Sequence, residues 1–107
     1  MATKRRPSHQ RLLILRQYSG AADKEFSGAD LMRLTGLSSG TLYPALYALE
    51  DVNHLTSTWE DGDPTTLGRP RKRLYRITEL GQQVFNEAMA ELGSPVVPLP
   101  IVEEGSR

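Results

Sequence analysis

Apolar residues recur at helical spacing in four segments of the chain, and two shorter segments are rich in Thr, aromatic and β-branched residues. The helical segments are residues 8–18, 28–35, 39–52 and 78–92. The two shorter segments, residues 55–60 and 71–77, have the composition of β-strands. The sequence between them, DGDPTTLGRP, contains several Gly and Pro residues and predicts a long loop. The pattern therefore predicts three helices, a β-hairpin and a fourth helix.

Residues at the segment boundaries support these elements. The predicted N-caps are Ser8, Ser27, Ser38 or Ser39, and Thr78. In each case a hydroxyl can accept a hydrogen bond from an amide of the first helical turn. Asp30 stands three residues after Ser27, which predicts an acidic capping box. Asn53 can adopt the left-handed conformation that ends the third helix, and a short extended piece is expected at Glu25–Phe26.

The predicted fold class is mainly α with a small β-hairpin (α+β), arranged as a winged helix-turn-helix. Four residues of the third helix recur on one face and are expected in the core, namely Leu42, Ala45, Leu46 and Leu49. Tyr75 and Ile77 alternate to the same side of the second strand and should meet them. One winged-helix domain is expected over residues 8–92, between a basic arm (1–7) and a proline-rich apolar tail (93–107).

Charge is distributed unevenly along a chain whose net charge is zero. The 107 residues include 13 basic and 13 acidic side chains and no cysteine. Residues 1–16 and residues 69–76 each contain five basic residues and no acidic one. Because the local field attracts a polyanion, this pattern agrees with a nucleic-acid partner despite the zero net charge. The lack of cysteine and of long apolar runs favours a cytoplasmic protein without a membrane partner.

The first half of the third helix is a candidate DNA-reading surface. Its solvent face carries hydroxyls that can bind phosphates or base edges, on Ser38, Ser39, Thr41, Tyr43 and Tyr47. The helix N-terminus also favours an anion. The face lacks the Arg, Lys, Asn and Gln residues that read bases in a bidentate manner. An ordinary amphipathic helix with tyrosines at its boundary therefore remains an alternative.

The hairpin loop and the strand after it form a candidate wing, residues 61–73. Its proposed phosphate contacts are Arg69, Arg71, Lys72 and Arg73. Arg69, between Gly68 and Pro70, is the best candidate for a minor groove. A charged, solvated edge strand is the alternative. Arg73 and Arg76 could instead pair with acidic residues of the first strand or the fourth helix.

The remaining candidates for chemistry are few. His9 and His54 lack metal-ligand spacing and are interpreted as structural or surface residues. No catalytic arrangement of side chains and no phosphate-cradling Gly loop is visible, so we expect neither an enzyme nor a cofactor. Core packing or a dimer contact is favoured over ligand stacking for Trp59. The fourth helix carries an apolar stripe that is predicted to pack against a second protomer or the tail, with Val84, Phe85, Ala88 and Leu92.

Two motifs together resemble the PadR-like transcriptional regulators, which are bacterial winged-helix repressors and usually homodimers. They are GLSSGTLYPALYALE and GRPRKRLYRITELG, and the likeness covers roughly residues 11–90. The resemblance implies that Thr41, Leu42, Tyr43 and Pro44 open a recognition helix. It also implies operator contacts by Tyr43, Arg69, Arg71 and Lys72, and structural roles for Tyr75, Thr78 and Gly81. The chain departs from the family at Asn53, in the loop after the first helix, and in the shortness of its fourth helix.

Together these observations predict a sequence-specific regulator of transcription that binds double-stranded DNA, acts as a repressor and forms a homodimer. Helix 39–52 would read the major groove, and the wing would bind the backbone or the minor groove. The sequence supports no particular small-molecule effector. Two alternatives remain, a winged helix used for protein–protein interaction and a phage-type DNA-architectural or recombination accessory protein.

Overall fold

Five helices and three strands make up residues 7–92, the part of the chain that the computed structural model describes. In chain order they are α1 His9–Arg16, β1 Phe26–Ser27, α2 Gly28–Thr35, α3 Ser39–Asp51, β2 Leu55–Trp59, α4 Pro64–Leu67, β3 Arg73–Ile77 and α5 Glu79–Glu91. The predicted fourth helix is thus α5. The mainly helical winged fold is confirmed, while nearly all of the predicted arm and the whole predicted tail lie outside the described residues.

Most helix ends lie where the capping residues predicted them. The hydroxyls of Ser8 and Thr78 accept hydrogen bonds from first-turn amides of α1 and α5. Ser27 and Asp30 form a complete capping box at the start of α2. Asn53 has φ of 63° just after α3, as expected. Helix α1 ends at Arg16, earlier than the predicted residue 18, and turns follow it.

The sheet has three strands, so the prediction of a simple hairpin was incomplete. Strand β3 lies between β1 and β2 and is antiparallel to both. Phe26 pairs with Tyr75, and the Phe26 ring contacts the edge of Tyr18 at 5.0 Å between ring centroids. A strand of two residues is too short to show an alternating apolar pattern in the sequence. Strand β1 forms because β3, which is distant in sequence, offers backbone groups for hydrogen bonding.

The wing contains a short helix, α4, where the sequence predicted only loop. Asp63 caps it by accepting a hydrogen bond from the amide of Thr65, and Pro64 occupies its first turn. Gly68 ends it with φ of 74°, a left-handed conformation that favours glycine. These are ordinary helix start and stop signals. The prediction of loop was wrong here because Gly and Pro also end regular structure, and the sequence pattern does not distinguish the two uses.

The core lies between α1, α3, the sheet and α5. It includes the predicted residues of α3 and β3 together with Ile14, Leu15, Leu55 and Phe85. The buried hydroxyl of Tyr18 donates a 2.7 Å hydrogen bond to the carbonyl oxygen of Tyr75, which ties the segment after α1 to the central strand. Burial raises the pKa of Tyr18, so this hydroxyl stays protonated and remains a donor.

The start of α5 is fixed against the end of α3. The amide of Thr78 donates to the carbonyl oxygen of His54 at 3.1 Å, and the Thr78 hydroxyl donates to the carbonyl oxygen of Asn53 at 2.6 Å. A Cβ atom on Gly81 would overlap the same His54 carbonyl oxygen. Only glycine allows this close approach of backbone to helix, which gives a physical reason for the structural role implied for Gly81.

Candidate nucleic-acid interface

The N-terminus of α3 differs from that of the other helices in the described part of the chain. Ser38 occupies the N-cap position but makes no side-chain hydrogen bond to the first turn. Its hydroxyl instead lies 3.3 Å from the hydroxyl of Thr41. Ser38, Ser39 and Thr41 are all exposed. The first-turn amides of α3 are therefore without a side-chain cap, and hydroxyl groups surround them.

The two tyrosines of α3 have different environments. Tyr43 is partly buried, packs against the core and lies so close to Gly28 of α2 that a Cβ there would overlap its ring. Tyr47 is one turn further along, and its side chain is 55% exposed. The ring centroids are 6.1 Å apart. Tyr47 is accordingly the more accessible of the two side chains, whereas Tyr43 also joins α3 to α2.

Beyond Tyr47, α3 is joined to the two wing strands by a group of polar side chains, here called the Glu50 network. Ser57 of β2 donates its hydroxyl proton to the carboxylate of Glu50. Arg73 of β3 donates from Nε to the Ser57 hydroxyl at 2.8 Å, and one of its Nη atoms lies 3.5 Å from a Glu50 oxygen. The Arg73 guanidinium also lies 5.4 Å from the centroid of the Trp59 ring. Arg73 therefore contacts three side chains of its own domain.

These contacts change three of the expectations from sequence. Arg73 does pair with an acidic residue, but that residue belongs to α3 and not to the first strand or the last helix. Arg76 lies 3.8 Å from Glu25, in the segment before β1. Trp59 is 55% exposed, so core packing was the wrong interpretation of that residue. The sequence does not predict these partners of Arg73 and Arg76. The pairing of β1 with β3 is non-local, and the tilt of α3 cannot be read from sequence.

The base of the wing loop is closed by a second ionic contact, here called the Glu60 clamp. Both Nη atoms of Arg69 donate to the carboxylate of Glu60, at 2.7 and 3.0 Å. The amide of Lys72 donates to the same carboxylate at 3.1 Å. The hydrogen bond from Arg69, followed by that from the Lys72 backbone, lowers the pKa of Glu60 to about 2. The carboxylate is thus charged at neutral pH. Its contribution to stability is fully present above pH 4.5 and is lost as the pH falls through about 2.

Arg71 and Lys72 are the remaining cations of the wing. Both are exposed. Neither side chain forms an ion pair with any residue between 7 and 92. They follow the Glu60 clamp directly and precede β3. Of the predicted wing contacts, these two are therefore the most accessible to an outside anion, although the charge of Lys72 also helps to lower the pKa of Glu60. Arg69 and Arg73 have closer acidic partners.

The apolar stripe of α5 is divided between core and surface. Phe85 and Ala88 are buried within the domain itself, because α5 packs on α1. Val84 is partly buried, and Leu92 is 54% exposed. The packing of the domain itself therefore explains why Phe85 and Ala88 are apolar. Of the predicted dimer or tail residues, Val84 and Leu92 keep surface for another contact.

The described part of the chain shows neither a cluster of metal ligands nor a membrane-spanning helix. Between residues 7 and 92 no group of three or more His, Asp or Glu residues is placed to hold a metal ion. Within the same range no helix is both long enough and apolar enough to cross a membrane.

A helix-turn-helix followed by a β-hairpin wing defines the winged-helix class, and comparison with known proteins narrows it. Residues 28–87 match the sequence model of the transcriptional regulator PadR-like family. None of the curated protein sequences matches the chain. Because the family match covers more than half of its length, the chain belongs to the PadR-like family of transcriptional regulators. The family consists of regulators and not enzymes, which confirms the expectation that the protein is not an enzyme.

Solved structures share the fold. A PadR family regulator from Eggerthella lenta is 25% identical with a TM-score of 0.61, and the alignment covers 78% of this chain and 75% of that one. A PadR family regulator from Clostridium difficile is 21% identical with a TM-score of 0.67, covering 80% and 88%. Bacillus subtilis PadR, solved in complex with operator DNA, is 20% identical with a TM-score of 0.61. That alignment covers 91% of this chain and 53% of PadR.

Proposed function

We propose that the protein represses transcription by binding a specific operator in double-stranded DNA. The observation that carries the proposal is the combination of an acid-free, exposed first half of α3 with wing cations that have no ion-pair partner in the described part of the chain. Family membership makes regulation the expected outcome of such binding. The mechanism is occupancy, because a protein bound across a promoter excludes polymerase from it.

In this proposal, α3 enters the major groove with its N-terminal half. The uncapped amides of its first turn and the hydroxyls of Ser38, Ser39 and Thr41 would bind phosphate and fix the register of the helix. Tyr47 is the exposed aromatic side chain that can reach a base edge or a thymine methyl group. Tyr43 would contribute through its hydroxyl while its ring keeps α2 and α3 together.

The wing would bind the sugar–phosphate backbone through Arg71 and Lys72. Both side chains are exposed and close in sequence, so they can neutralise neighbouring phosphates. Arg69 and Arg73, which were also predicted to contact DNA, are better explained as residues that shape the wing. Arg73 fixes the wing to α3 through the Glu50 network, and Arg69 closes the base of the loop.

A homodimer in the cytoplasm completes the proposal. Two protomers related by a two-fold axis would present two α3 helices to successive major grooves. Val84 and Leu92 of α5 have accessible apolar surface that supports such a contact. The predicted contribution of residues 93–107 lies outside the described residues and stays a prediction.

The proposal is tested by selecting bound duplexes from a random-sequence library and measuring equilibrium binding to the enriched sequence. We expect an enriched motif with two half-sites about 10 base pairs apart. Tyr47→Ala should weaken binding to that motif by about 1–3 kcal/mol while leaving binding to random duplex nearly unchanged.

Val52→Ala provides the matched control, because Val52 is exposed at the far end of the same helix. It should bind the motif like the unmodified protein. If no sequence is enriched, or if both substitutions weaken motif and random binding equally, α3 does not read DNA bases.

A further inference from the structure

The Glu60 clamp occupies the bidentate Nη edge of the Arg69 guanidinium and offsets its charge. Both Nη atoms of Arg69 donate to Glu60, and one of them also lies 3.2 Å from the carbonyl oxygen of Pro70. A carboxylate held by two parallel N–H groups has the same geometry as a phosphate held by arginine. A phosphate could therefore bind this guanidinium edge only after displacing Glu60, whose own charge repels it.

Glu60 is itself held in place by the backbone. Its amide donates to the carbonyl oxygen of Lys72 at 2.7 Å, which continues the β2–β3 ladder beyond the Trp59–Arg73 pair. The Lys72 amide returns a hydrogen bond to the Glu60 carboxylate. On the other side, the Arg69 amide lies 3.3 Å from the carbonyl oxygen of Pro64 in α4. Both partners of the clamp are thus anchored at the base of the loop.

We infer that Glu60 is a positioning residue that withholds Arg69 from DNA and thereby limits the wing to two phosphate contacts, made by Arg71 and Lys72. The inference rests on the proposed DNA binding and deepens it. It assigns opposite roles to Arg69 and Arg71, although the sequence analysis expected both to contact DNA and favoured Arg69. Arg69 shapes the loop, whereas Arg71, next after Pro70, is exposed and has no acidic partner among residues 7–92.

The consequence is an affinity for DNA lower than the number of basic residues in the wing would give. Each phosphate contact adds about 0.9 to the slope of log affinity against log salt concentration. Releasing Arg69 should add one such contact for any duplex sequence. Binding to random DNA is therefore the appropriate measurement, because it needs no knowledge of the operator.

The test compares Glu60→Gln with Asp61→Asn in full-length protein. Gln keeps an oxygen that can accept from the Lys72 amide but loses the charge that holds Arg69. Asp61→Asn removes the same charge from an exposed neighbouring residue and serves as the control. We expect Glu60→Gln to steepen the salt slope by about 0.9, so that its affinity gain between 200 and 50 mM salt exceeds that of the control roughly threefold.

A second variant and a DNA-free measurement exclude a simple change of fold. Glu60→Gln combined with Arg69→Gln should return the slope to that of the unmodified protein, because no additional cation is released. In NMR titrations without DNA, Arg69→Gln should raise the pKa of Glu60 from about 2 towards its ordinary 4.5.

The outcomes separate the inference from the proposed function. If the unmodified protein binds duplex DNA but Glu60→Gln gives the same slope as Asp61→Asn, the inference alone is overturned. It is also overturned if Arg69→Gln leaves the pKa of Glu60 unchanged. If the unmodified protein has no salt-dependent affinity for duplex DNA, the proposed function fails and the inference fails with it.

Discussion

Single residues decide how the elements of this domain meet. Gly81 is the clearest case, because its missing side chain allows the carbonyl oxygen of His54 to lie against the first turn of α5. Gly40, on α3, has no atoms of other elements within 4 Å of the position a Cβ would take. Both are glycines in helices, yet one is required by packing and the other is not.

This contrast gives a stability prediction. Gly81→Ala should lower the free energy of unfolding by about 1–3 kcal/mol, because the new Cβ forces α5 away from the end of α3. Gly40→Ala is the matched control and should be neutral or stabilising by up to about 1 kcal/mol, since alanine is the better helix former. Urea denaturation measures both. Equal stability of the two variants would contradict the packing described at Gly81.

At the scale of elements, the Glu50 network joins α3 to both strands of the wing. Glu50 and Arg73 have side chains that are 23% and 45% exposed, so solvent screens their attraction in part. Ser57 links the two through hydrogen bonds to both. The elements α3, β2 and β3 are joined in this way next to the surface proposed to bind DNA.

A double-mutant cycle can measure this connection. Glu50→Gln and Arg73→Gln should show a coupling free energy of about 0.5–1 kcal/mol, as expected for a partly exposed, hydrogen-bonded pair. Asp51→Asn combined with Arg73→Gln is the control, because Asp51 is exposed and adjacent to Glu50. Its coupling should be near zero. Equal coupling free energies in the two cycles would show that Arg73 interacts only with the overall negative charge nearby and not specifically with Glu50.

The elements also show what sequence patterns could and could not predict. Helices α1, α2, α3 and α5 were predicted because each has a periodic apolar face and, apart from α3, a side-chain cap. Strand β1 was reduced to a short extended piece because its pairing with β3 is non-local. Helix α4 was missed although Asp63, Pro64 and Gly68 mark both of its ends.

For the candidate site, the sequence predicted the kinds of residue but not their partners. The basic run from Arg69 to Arg76 is visible in the sequence, whereas the positions of Glu50 and Glu25 relative to it are not. Only Glu60 could have been anticipated, since continuing the strand register past Trp59 and Arg73 places it opposite Lys72.

At the scale of the whole molecule, pairing of charges reconciles a net charge of zero with a polyanionic partner. Three of the five basic residues between 69 and 76 have acidic partners in the structure. The other two, Arg71 and Lys72, lie together on the wing. Among residues 7–92 the unpaired positive charge of the wing is therefore small and localised, which agrees with the proposal that random DNA is bound weakly and that α3 supplies the specificity.

The salt dependence of duplex binding tests this account most directly. We predict that Arg71→Gln combined with Lys72→Gln will flatten the slope of log affinity against log salt by about two units, since two phosphate contacts are lost. Arg76→Gln, further along β3 at a residue that already pairs with Glu25, should leave the slope unchanged. A double variant with the slope of the unmodified protein would show that the wing does not contact phosphate and would contradict the proposed interface.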